Sequence, residues 1–251
     1  MCLTMLMHQA QVAADQALEA TVEACSAAGL IAAWRGLVQD VYSTNLDRYE
    51  PDELGDTPMT LGIQCSENLK TRAIRRFRHD ELEADDDHWD IDGLRVWTPR
   101  NVLTFSSASA RVVTMKLPFA EGRSPRWDRI GDWDQDSQIR RAIATESSRV
   151  LRYRSHAESD GLFPHTGSPG VVRNYMMLWA GEADAALTAG WLGVPVLGDT
   201  PFIARKLLWW DDEPHNRVTA STTPDRGPNF DERPAVTPEV TLKRRPQEGL
   251  A

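Results

Sequence analysis

The chain has 251 residues, 41% of them hydrophobic and nine of them tryptophan, and carries a formal net charge of -9. That length suffices for one large core or two modest ones, and the apolar content excludes global disorder. The negative balance disfavours indiscriminate nucleic-acid binding, which draws its strength from neutralising phosphates.

Cys2, Cys25 and Cys65 give neither a CxxC pair nor a disulfide framework, so reduced thiols in the cytoplasm are expected. Residues 1–7 are apolar but lack a cationic lead and stop short of a signal peptide. No apolar run reaches the length of a bilayer span, so no membrane partner is expected.

Val12, Ala17, Leu18, Val22 and Cys25 recur near helical spacing, followed by a cleaner stripe at Leu30, Ile31, Trp34, Leu37, Val38, Val41 and Tyr42. Gly29 either separates two helices or sits inside one long one. Residues 49–58 read as a linker. Met59, Leu61, Ile63 and Cys65 then alternate with polar or small residues, the pattern of a half-buried strand. Ser66 is expected to cap a helix that buries Leu69, Ala73, Ile74 and Phe77 and turns its basic residues outward.

Residues 93–117 predict an antiparallel meander of three strands with a turn at Pro99, Arg100 and Asn101. A long loop over 118–134 leads to a helix over 138–154. After a second loop at 161–170, residues 171–180 are the best candidate for a central strand. A short helix at 182–192 and a strand at 194–197 suggest a parallel crossover. Residues 202–210 are expected to be extended, and from Asp211 the chain turns proline-rich and polar, with 239–243 a candidate edge strand.

The fold class is therefore α+β or mixed α/β, with a central mixed sheet, packed helices and an irregular C-terminal tail. Residues 1–50 form a helical segment packed on the main domain, 51–210 the core, and 211–251 an extended or partly disordered tail.

The sharpest charge pattern is a reversal from Lys70, Arg72, Arg75, Arg76 and Arg78 to a run of acids. Asp85, Asp87, Asp90 and Asp92 are candidate ligands for Mg²⁺ or Mn²⁺, hard cations that take several oxygens. The central glycine of a calcium loop is missing, and the competing account is a hydrated acidic connection paired with the basic helix. Arg72, Arg75 and Arg76 are candidate phosphate contacts, since the guanidinium fork matches phosphate oxygens. Lys116, on the third meander strand, and His165, in a loop held by glycine and proline, are candidates for a polar site. Trp89, Trp97, Trp127 and Trp133 are candidates for partner binding, against the simpler role of anchoring loops to the core.

No phosphate loop, dinucleotide-binding glycine pattern or hydrolase elbow is present. The expected function is a cytosolic binding or regulatory protein acting through protein contacts, with a protein partner or self-association. The alternatives are a nuclease or phosphodiesterase using Mg²⁺ or Mn²⁺ and a non-enzymatic nucleic-acid binder.

Overall fold

The computed structural model describes residues 2–77, 91, 93–117, 137–153, 170–181, 187–198 and 200–211, with side chains from residue 7 onward in the first helix. Met1–Glu213 contains one compact unit; the second, Pro214–Ala251, lies outside the described residues, and with it the expected edge strand at 239–243.

Two helices open the chain, α1 (Cys2–Ala27) and α2 (Leu30–Leu46), bent by 75° to one another. Gly29 makes the break. Its φ of 75° is left-handed backbone that a Cβ would strain. No single helix among the described residues is long and apolar enough to cross a membrane.

The third helix, α3 (Pro58–Phe77), corrects the strand expected at 59–65. Thr57 caps it: its hydroxyl accepts from the Thr60 amide at 3.2 Å, and the Thr60 hydroxyl accepts from the Thr57 amide at 2.8 Å. This is the reciprocal arrangement of a capping box, with proline at the first helical position, where no amide is needed. Ser66 is inside the helix and caps nothing.

Among the described residues the sheet has six strands in sequential order: β1 (Arg95–Trp97), β2 (Thr104–Ser106), β3 (Arg111–Lys116), β4 (Asn174–Gly181), β5 (Thr188–Pro195) and β6 (Phe202–Trp210). Every neighbouring pair is antiparallel except β3 and β4, which run parallel. The meander stands as expected, with a 3-10 turn at Pro99–Asn101. The parallel crossover lies elsewhere than expected. It joins β3 to β4 and contains α4 (Gln138–Leu151), whereas β4 and β5 are antiparallel and the expected helix at 182–192 is β5 from Thr188 onward.

β4 is buried along its whole length, as a central strand must be. Tyr175, Met177 and Trp179 pack toward α1, α2 and α3, while Met176, Leu178 and Ala180 pack with Ile143 and Ala144 of α4. The sheet is therefore covered on both faces. At the heart of the larger core, the Trp34 and Phe77 rings each meet Phe105 edge-on, with centroids 5.3 and 5.5 Å apart.

The end of β6 is clasped to α2. The Asp211 carboxylate accepts from Arg35 Nη2 at 2.7 Å, from Gln39 Nε2 at 3.0 Å, and from the Thr188 amide and hydroxyl. Trp209 Nε1 donates in turn to the Thr188 hydroxyl at 3.0 Å.

Candidate functional site

At the carboxyl ends of β3 and β4, α3 and the turn at Pro99–Asn101 wall a pocket of about 290 Å³. Ser66, Glu67 and Lys70 come from α3, Asn101 from the turn, Thr114 and Lys116 from β3, Arg140 from α4 and Trp179 from β4.

The two lysines differ in their surroundings. Lys70 Nζ donates to Glu67 Oε1 at 2.6 Å and to Asn101 Oδ1 at 2.9 Å. Lys116 Nζ meets no carboxylate and no hydrogen-bond acceptor among the described residues; it stands 5.9 Å from the centroid of the Trp179 ring, its register partner across the parallel pair. Gly62 makes this placement feasible. A Cβ there would fall 2.8 Å from Lys116 Nζ, so the absence of a side chain lets the amine pass beneath α3.

Burial lowers the pKa of Lys116, with the neighbouring Cys65 acting the other way. The same burial pushes the Cys65 thiol up to about 11, against the opposing pull of Lys116. Cys65 is thus a neutral packing group at physiological pH, and a poor nucleophile. Among the described lining residues the charged side chains are Glu67, Lys70, Lys116 and Arg140, with Glu67 paired to Lys70.

A second cavity, of about 420 Å³, lies between α1 and the sheet. Its described lining includes Ala17, Thr21, Cys25, Phe105, Ser107 and Tyr175, and among the described residues no acid or base of permanent charge. Thr21 donates to the Ala17 carbonyl at 2.8 Å and Tyr175 to the same carbonyl at 3.2 Å, so its polar groups are largely self-satisfied.

Of the residues singled out from sequence, Lys116 is in the first pocket. Arg72 and Arg76 approach Asp40 of α2 at 3.5 and 3.6 Å, and Arg75 is exposed on the same helix. None of the three lines the pocket, so the structure does not join them to Lys116. Trp97 is 45% exposed on the edge strand β1, beside a smaller cleft shared with Arg100, Arg111 and Ile139. Asp85, Asp87, Asp90, Asp92, His165, Trp89, Trp127 and Trp133 lie outside the described residues. Among the described residues no three histidine, cysteine, aspartate or glutamate side chains converge to hold a metal ion.

Lys70, Asn101, Arg140 and Trp179 are the pocket residues that sequence reasoning did not assemble. The available signal was the glycine at 62 inside an otherwise good helix, which marks close approach by another group. No protein-family model, no curated protein and no solved structure matches this chain.

Proposed function

We propose that the chain is a binding protein for a small anionic molecule, taken up in the pocket at the carboxyl ends of β3 and β4. The observation that carries this reading is the Lys116 amine, half-buried beneath α3 and without a counter-charge among the described residues. Burying a cation is unfavourable unless something compensates, and an incoming anion supplies the missing partner. Lys70, paired with Glu67, and Arg140 line the same space.

Titration calorimetry with phosphate and with short carboxylates tests it. Binding is expected in the parent and should weaken at least about tenfold, roughly 1.4 kcal/mol, in Lys116→Met. Gly62→Ala should also weaken it, because the new methyl displaces the amine, while the helix gains propensity of about 1 kcal/mol. Equal binding by parent and Lys116→Met, or no binding by either, would remove the reading.

Trp97 favours a second reading, recognition of a protein partner. An indole almost half exposed on an edge strand is a natural anchor, since aromatic rings concentrate interface energy. A partner or self-association that persists unchanged in Trp97→Ala would count against that role.

A further inference from the structure

The edge of the sheet that carries Trp97 carries arginines as well. Val96, Phe105 and Val112 point into the larger core and Val113 toward α4, so by strand alternation Arg95, Trp97 and Arg111 stand on the α4 side of the sheet. In register, Arg95 and Arg111 flank Ser106, while Trp97 and Val113 flank Thr104. The strand spacing sets the two arginines about 10 Å apart, with the indole about 7 Å along β1 from Arg95. Beside them opens a cleft of about 260 Å³, walled by Trp97, Pro99, Val113 and Ile139 and flanked by Arg100 and Arg111. Arg100 has left-handed backbone, φ 49°, a strained conformation for a residue with a Cβ. Its Nη1 donates to Gln138 Oε1 at 2.6 Å, and this neutral partner fixes the guanidinium at the cleft while leaving its charge uncancelled. Arg95 and Arg111 are exposed and meet no carboxylate among the described residues.

Going beyond the anion pocket, with which this cleft shares no described lining residue, we infer that the face binds single-stranded nucleic acid. One base stacks on Trp97, and the phosphates on either side of it meet Arg95, Arg100 and Arg111. Every base has a π-face for an indole, and only an unpaired strand can turn that face outward. Arginine's planar fork matches the phosphate oxygens. Such a strand alternates flat plates with negative charges, as this face alternates an indole with guanidinium groups. An acidic peptide would satisfy the guanidinium groups but has no plate for the slot beside Trp97. The formal net charge of -9 acts weakly here, because salt screens exposed charges more than about 8 Å away. Within that range, the charged residues among the described lining of the cleft are Arg100 and Arg111.

Fluorescence anisotropy of the full chain with labelled oligouridine and oligodeoxythymidine of about twelve nucleotides tests it. At least one should bind at low salt. Trp97→Ala should weaken that binding about tenfold, while Trp97→Phe, which keeps an aromatic plate, retains most of it. Arg95→Gln and Arg111→Gln should each flatten the fall of log affinity with log salt by about 0.7, the loss of one phosphate contact. Arg75→Gln, which removes the same charge from α3, should leave that slope unchanged. No binding of either strand even at low salt, or binding that Trp97→Ala leaves intact, would overturn the inference. So would a duplex bound as tightly as the single strands, since paired bases keep their faces stacked. Polyglutamate bound more tightly than either oligonucleotide would overturn it too, and would make the face a docking site for acidic protein.

Discussion

Lys116 and Gly62 form a single feature seen from two chains of atoms, one residue withdrawing so that the other can enter. Burial holds the pKa of Lys116 below the ordinary lysine value of 10.5. Between that lowered value and 10.5 the unfolded chain holds more proton than the folded one, so stability rises with pH across this window. Below it, the buried charge is a standing cost. Lys116→Met should therefore be more stable than the parent near about pH 7, and its advantage should shrink as pH climbs toward 10.5. Urea unfolding of both proteins at the two ends of that range measures the difference. A constant advantage would mean that packing and not charge separates them.

Helix and strand assignments show where local pattern suffices and where it fails. The first two helices were legible because their apolar stripes are long and Gly29 has a left-handed φ; Gly29→Ala should cost about 1 kcal/mol in urea unfolding while helix content is retained. The start of α3 was misread because Met59, Leu61, Ile63 and Cys65 alternate. Met59 and Ile63 are in fact exposed, and the buried set is Leu61, Cys65, Leu69, Ala73 and Phe77 at four-residue spacing. The capping signal at Thr57, Pro58 and Thr60 marked the helix start. β5 was hidden for another reason. Gly190 and Gly193 have low strand propensity, yet they are required: a Cβ on Gly190 would lie 2.0 Å from the Trp209 ring, and one on Gly193 would lie 2.8 Å from Phe202. That information resides in β6, nine and nineteen residues away, where no local pattern reaches. The pocket was illegible for the same kind of reason, since Lys70, Asn101, Lys116, Arg140 and Trp179 meet only through the fold.

At the level of the whole molecule, the arrangement of layers explains why the site is where it is. The sheet changes from antiparallel to parallel once, and the pocket opens at the carboxyl ends of that one pair, flanked by α3 on one side and reached by Arg140 from α4. The Asp211 clasp ties the far strands to α2, so the helices over the sheet and the strand ends act as a common frame. β4 has a further consequence. Its side chains insert alternately into both helical layers, so freeing its backbone requires parting the two layers together, an event close to complete unfolding. In deuterated buffer its amides should be the last to lose their protium, later than those of β6, which among the described strands has a neighbour on one edge only. Mass spectra of peptides covering 174–181 and 202–210 would record that order, and the reverse sequence of exchange would show that the two layers separate independently.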